Sequence, residues 1–173
     1  MQKHPFLVII DGPMGAGKST VSKLIHKKIK YSALLSLDRI KHIISGVKVD
    51  DLEHLQLASE IGAVMTKEYL KRGKNVIVEK AFTKEEYLKD FLKQVNYQHS
   101  EIFIYQIEAP LKLRIERVKG RDSPEGIKTK PTLKKIKKNH ENYNNFKYKN
   151  AKIFDSSRLT AIQIVNQILK DLN

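Results

Sequence analysis

Residues 12–19 read Gly-Pro-Met-Gly-Ala-Gly-Lys-Ser, a fit to G-x-x-x-x-G-K-[ST]. That pattern is a cradle for phosphate. Gly12, Gly15 and Gly17 permit turn conformations that a side chain would forbid, with Pro13, Met14 and Ala16 between them. Backbone N–H groups of such a loop point inward and form an anion nest. A helix opening near Lys18 adds its positive end. Lys18 is then in place to reach β- and γ-phosphates, Ser19 to ligate Mg²⁺ through its hydroxyl, and Thr20 to touch an α-phosphate. Three of the eight glycines of the chain fall here, with Lys and Ser in register, which a turn that binds nothing does not require.

Other residues with chemical potential lie near the ends of apolar runs. Glu79 closes Asn75–Glu79 (NVIVE). It is either a solvated strand end or an acid that holds Mg²⁺ through water or contacts a phosphoryl acceptor. The chain has only six arginines, and three of them, Arg114, Arg117 and Arg121, lie at i, i+3 and i+7 along one helical face. Guanidinium groups stabilise the charge that spreads over equatorial oxygens during phosphoryl transfer. Residues 120–131 (GRDSPEGIKTKP) follow, with two Gly and two Pro. The segment of about 117–131 therefore reads as a lid that closes and excludes water.

These residues need elements to position them. The apolar run Phe6–Asp11 predicts a buried strand, and Val21, Leu24, Ile25 and Ile29 predict a helix over 18–29. Ala33–Leu37 reads as a second strand, with Asp38 as N-cap of the next helix. A long helix over Asp51–Arg72 is stopped by Gly73, and Asn75–Glu79 is a third strand. Thr83 and Glu86 have capping-box spacing. Ile102–Ile107 is a fourth strand, and Pro110 suits the first turn of a helix to about Gly120. A basic helix over Pro131–Phe146, a fifth strand ending at Ile153–Phe154 and an amphipathic helix over Thr160–Leu172 complete the chain. Such alternation predicts a mostly parallel sheet with helices on both faces, and ligands at the carboxyl ends of its strands. No repeat or linker divides residues 1–173, so one domain is expected.

Composition narrows the class. The chain has 173 residues and 40% hydrophobic content, enough for a core, and no cysteine, so disulfides, thiolate metal sites and cysteine nucleophiles are excluded. The longest early apolar run, Phe6–Ile10, is far short of the roughly 20 residues of a membrane span. It is also too short for a secretory core, so a soluble, cytoplasmic protein is expected. The net charge is +14, of which residues 110–149 supply +9 from 13 basic and 4 acidic side chains. That concentration fits either a lysine-rich solvated surface or an anionic partner, nucleic acid included. On the basic helix, Lys134, Lys135, Lys137 and Lys138 with Tyr143 and Phe146 beyond have the composition of a strand-tracking face. The guanine-reading N-K-x-D and a D-x-x-G switch are missing, which excludes a GTPase and favours ATP.

The sequence resembles the P-loop kinase group, meaning the nucleoside-monophosphate-kinase-like and AAA_33-type kinases (zeta-toxin, adenylylsulfate kinase and polynucleotide kinase among them). Besides the phosphate loop, Asp38-Arg-Ile-Lys41 is similar to the D-x-x-[RK] of adenylylsulfate and polynucleotide 5′-kinases. There the Asp takes the proton of the acceptor hydroxyl and the basic residue contacts acceptor phosphate. The stretch from Leu113 to Arg121 resembles the lid opening of adenylate kinases, which makes Arg117 and Arg121 the catalytic arginines and leaves Arg114 to the acceptor. Phe154-Asp155-Ser156-Ser157 resembles a loop that packs against adenine in such kinases. After the third strand, Glu79-Lys-Ala-Phe82 departs from the D-G-[FY]-P-R of adenylate kinases and the D-R-[YFH] of thymidylate kinases.

The resemblance implies a three-layer α/β sandwich whose five-stranded parallel sheet has the order 2-3-1-4-5. It implies an ATP- and Mg²⁺-dependent phosphotransferase that moves the γ-phosphoryl group to a hydroxyl or phosphate of a small-molecule, nucleoside or nucleotide acceptor. A polynucleotide 5′-hydroxyl kinase is the alternative. A nucleotide-dependent switch that binds RNA or protein, with little catalysis, is the second.

Overall fold

A computed structural model describes residues 4–44, 52–120, 132–144 and 148–172. Most of the expected lid, Arg121 included, and Phe146 lie outside the described residues. The elements in chain order are β1 (Phe6–Asp11), α1 (Lys18–Lys28), β2 (Ala33–Ser36), α2 (Leu37–Lys41), α3 (Leu52–Lys71) and β3 (Val76–Glu79). They continue as α4 (Glu85–Val95), β4 (Glu101–Glu108), α5 (Leu111–Lys119), α6 (Leu133–Asn144), β5 (Lys152–Asp155) and α7 (Ala161–Asp171). The five strands form one sheet in the order β2-β3-β1-β4-β5, and every pairing is parallel.

Parallel strands bury both faces, so the apolar residues of β1 serve two cores. Leu7 and Ile9 point to one side, where they join Leu35, Leu37, Phe82, Leu88 and Phe91. Val8 and Ile10 point to the other and join Val21, Ile25, Phe154, Ile164 and Ile168. The period of two along a strand makes this division. None of the described helices is long and apolar enough to cross a membrane.

Register decides what reaches the site. Ser36 of β2 pairs with Glu79 of β3, and Glu79 pairs with Ile10 of β1. The residues just beyond these, Asp38, Lys80 and Gly12, therefore emerge at the same end of the sheet, beyond the carboxyl ends of its strands. Two caps differ from expectation. Asp38 lies in the first turn of α2, whose N-cap is Ser36, because β2 ends one residue early. The Thr83–Glu86 box does not form, since α4 starts at Glu85 with Lys84 as N-cap.

A capping box does form at Thr160, whose hydroxyl accepts Gln163 N–H while Gln163 Oε1 accepts Thr160 N–H at 2.9 Å. Thr160→Ala removes one side of it. A loss of about 1 kcal/mol is expected, read as a fall of about 2–4 °C in Tm by calorimetry for a chain of this size.

Candidate active site

The loop between β1 and α1 is shaped by close backbone packing. Gly12 has φ 147°, and a Cβ there would lie 2.2 Å from the Ile107 carbonyl oxygen of β4. Gly15, at φ 82°, would place a Cβ 2.7 Å from the carbonyl oxygen of Arg114. Both positions need glycine for conformation and for space. Gly17 is the left-handed N-cap of α1, with no side chain bonded to the first turn and no acid in it. The first N–H groups of α1 are thus left to an external anion. Lys18 Nζ donates to the Pro13 carbonyl at 3.2 Å, folded back along the loop.

Two carboxylates reach this end of the sheet, Glu79 from β3 and Asp38 from α2 just after β2. Ser19 Oγ donates to Glu79 Oε1, and Ser22 Oγ lies 3.2 Å from Glu79 Oε2. A hydroxyl with one carboxylate is the sparse hard-oxygen set that suits Mg²⁺, which keeps several waters and shares phosphate oxygens. Ser19 and Glu79 therefore fit that ion. Asp38 is exposed on α2, and its Oδ1 lies 3.9 Å from Lys80 Nζ. Lys41, one turn on, is buried at 3% exposure.

On the other side of α1 lies a cleft of about 390 Å³. Its lining includes Gly17, Thr20, Arg117, Ser157, Leu159 and Ile164. Arg117 donates to Ser156 Oγ and to the Ser156 carbonyl, each at 2.8 Å, and Ser156 Oγ donates to the Ala16 carbonyl at 2.7 Å. Ser157 is tied by its N–H and hydroxyl to Asp155 Oδ1, which together hold the Asp155 carboxyl below its ordinary value.

The loop is also held from beneath, in part by residues that no motif singled out: Asp11, Asn139 and His140. Asp11 is fully buried. Its carboxylate accepts Phe82 N–H at 2.9 Å and Gln106 Nε2 at 3.3 Å, and Tyr143 and Gly12 N–H are further donors. Burial pushes its pKa up, and the Tyr143 hydroxyl and the Phe82 and Gly12 N–H groups pull against the rise. Asn139 Oδ1 accepts the Met14 N–H at 2.9 Å. Arg114 does not share an open face with Arg117. It is 1% exposed, and its guanidinium meets the Ala109 carbonyl at 3.0 Å, the Met14 carbonyl at 3.4 Å and His140 Nδ1 at 2.6 Å. Tyr143, read above as a stacking aromatic, is 4% exposed and spent on Asp11, because the helix face that carries it packs under the loop. The available signal was spacing: residues 136, 139, 140 and 143 fall on one helical face.

His140 gives this support a pH dependence. Guanidinium has donors only, so the Nδ1 that it meets is unprotonated. Burial first, then the Arg114 charge, hold His140 below its ordinary 6.5. The unfolded chain therefore takes up this proton more readily. The contribution to stability is present above pH 6.5 and is lost as pH falls through the folded-state value. Urea midpoints taken at about pH 7.5 and about pH 5.5 should differ less in His140→Gln than in the wild type. His42, shifted the same way, is common to both proteins. An equal difference in the two proteins would remove His140 from the account.

The AAA_33 family model, described as an AAA domain, matches residues 7–145. The chain belongs to the AAA_33 family. No curated protein matches by sequence. Among solved structures, this AAA_33 protein is similar to a sugar kinase from Janibacter sp., at 14% identity and TM-score 0.71, over 96% of this chain and 93% of that one. It is similar to shikimate kinase from Acinetobacter baumannii in complex with shikimate, at 15% identity and TM-score 0.66, over 98% and 94%. It also resembles part of the Pnkp1/Rnl/Hen1 RNA repair complex, at 18% identity and TM-score 0.69, over 82% of this chain and 45% of that one. At these identities the likeness is one of fold, and the fold is that of P-loop kinases.

Proposed function

We propose that this protein transfers the γ-phosphoryl group of ATP to a hydroxyl or phosphate of a small-molecule, nucleoside or nucleotide acceptor. The observation that carries the reading is the meeting, at the carboxyl ends of β1, β2 and β3, of the Lys18–Ser19 helix start, Glu79 and Asp38. In the hydroxyl case the bond from the γ-phosphorus to the bridging oxygen breaks, and one forms to the acceptor oxygen. The hydroxyl proton passes to Asp38, and ADP leaves. Lys18 and the loop amides hold the phosphates, with Thr20 beside the α-phosphate. Mg²⁺, held by Ser19 and through Glu79, supplies charge neutralisation when bound. Arg117, with Ser157, faces the nucleotide in the cleft beside α1. Arg121 is proposed to join it over the transferred group, and residues from about 117 to 131 to act as the lid of a single domain. Lys41 and Glu79 are proposed on the acceptor side, while the bonds of Arg114 to the Met14 carbonyl and to His140 favour support of the loop over contact with the acceptor. Transfer of label from γ-labelled ATP to a panel of hydroxylated metabolites, nucleosides and nucleotides tests the reading, and a protein that binds ATP but labels nothing would count against it.

A second reading, a polynucleotide 5′-hydroxyl kinase, is favoured by Lys134, Lys137 and Lys138, all exposed on α6. A 5′-hydroxyl oligonucleotide belongs in the same panel. Its binding should weaken steeply with salt, because several phosphates release counterions, whereas a small acceptor gives a shallow slope.

A further inference from the structure

Asn139 belongs to no motif, yet it reaches the phosphate loop from 125 positions away. The buried Ile136 and Tyr143 flank it about one turn to either side, on the same face of α6. His140 beside it meets the Arg114 guanidinium at 2.6 Å. Asparagine is a weak helix former, so propensity does not account for it in mid-helix. Its Oδ1 accepts the Met14 N–H at 2.9 Å.

The Pro13–Met14 peptide is trans. In a trans peptide the N–H and the C=O point in opposite directions. A Met14 N–H held toward α6 therefore turns the Pro13 carbonyl to the other side. There it accepts the Ala16 N–H and the Lys18 ammonium, each at 3.2 Å. The following peptide is held from α5. Arg114 Nη1 donates to the Met14 carbonyl at 3.4 Å, and Gly15 packs so closely on Arg114 that a Cβ would lie 2.7 Å from its carbonyl oxygen. Two successive peptides of the loop are thus pinned from outside it, and groups fixed in this way need no reorganisation when charge arrives.

We propose that Asn139 is a positioning residue for phosphoryl transfer: by holding the Met14 N–H it sets the plane of the Pro13–Met14 peptide, and so where the Lys18 ammonium rests. The inference rests on the phosphotransferase reading above. Asn139 acts through this peptide and not by contact with the nucleotide. Without its oxygen the peptide is free to rotate, the Pro13 carbonyl turns from Lys18, and the binding of phosphate must first restore both.

The full chain is compared as wild type, as Asn139→Leu, which keeps the size of the side chain without its acceptor, and as Asn139→Asp, which keeps an acceptor oxygen. Mg²⁺ with the non-hydrolysable analogue AMP-PNP is titrated calorimetrically into each. Asn139→Leu should bind about fivefold more weakly, the scale of one hydrogen bond, and Asn139→Asp should recover most of the loss. In the Lys18→Ala background, Asn139→Leu should cost less than about twofold, because the two positions act as one unit. An undiminished loss in that background, or none in the otherwise wild-type chain, overturns the proposal.

A second measurement needs no nucleotide. The ligand-free proteins are labelled with acetic anhydride, and the modification of Lys18 is read by mass spectrometry against that of the other lysines, whose unchanged pattern reports an intact fold. Asn139→Ala takes the place of Asn139→Leu if that pattern changes. An ammonium that loses an acceptor gives up its proton more readily, so Lys18 should label about two- to threefold faster in Asn139→Leu and no faster in Asn139→Asp. Equal labelling of Lys18 in wild type and Asn139→Leu overturns the proposal. Failure of AMP-PNP to bind the wild type defeats the phosphotransferase reading instead, and the labelling then decides whether Asn139 positions Lys18.

Discussion

Lys18→Ala is expected to lower phosphoryl transfer by about 10²–10³-fold or more, the scale for removing one preorganised donor to developing charge. Lys18 opens α1 at its positive end, and its Nζ rests 3.2 Å from the Pro13 carbonyl. In the proposed reaction its charge would meet the β–γ bridge and the transferred group. Alanine leaves the loop amides in place, so nucleotide affinity should fall less than turnover. The partial exposure of Lys18 means that the fold should survive, which thermal unfolding checks. Wild-type turnover of γ-labelled ATP in the variant would sink the assignment.

Asp38→Asn should cost about 10²–10⁴-fold in kcat, the range for a positioned general base. The amide keeps the shape of the carboxylate but cannot take the acceptor proton. Asp38 is on the β2 and α2 side, across α1 from the cleft lined by Arg117 and Ser157. The KM for ATP should therefore stay near its original value. The ion pair to Lys80 is lost as well, so the KM for the acceptor should move while that for ATP does not. A variant with unchanged kcat would leave Asp38 as a surface residue. One with ATP binding lost as well would place its role in folding.

The two variants probe the two ways in which this chain was legible. The phosphate loop is local: eight consecutive residues contain the glycines, the lysine and the serine, and a strand and a helix flank them. Short-range patterns carry that information, so loop, strands and sheet class could be read before any contact was known. Asp38 and Glu79 were readable as candidates because parallel sheets present ligands at the carboxyl ends of strands. Their partners were not. Ser19 meets Glu79 across 60 residues, and Lys80 meets Asp38 across the β2–β3 pairing.

The three arginines show the limit most clearly. Their spacing placed Arg114 and Arg117 on one helical face, with Arg114 expected at the acceptor and Arg117 over the transferred group. Packing separates them. Arg114 lies under the phosphate loop against His140, and Arg117 faces the cleft through Ser156. Helical periodicity states which residues share a side, but burial depends on what packs against it. The basic helix behaves alike: its lysines were counted as one charged face, yet Asn139, His140 and Tyr143 tie α6 to the loop and its anchor.

By itself, then, the sequence determined the phosphate cradle, the alternation that makes a parallel sheet, and the short list of groups able to do phosphoryl chemistry. Each depends on neighbours along the chain, through backbone conformation and side-chain periodicity. Only the tertiary structure decided which buried groups hold the cradle and which cation stands beside Asp38. Those choices depend on strand register and on α6 docking beneath the loop, contacts between residues up to 125 positions apart, whose strength comes from burial that no local pattern encodes.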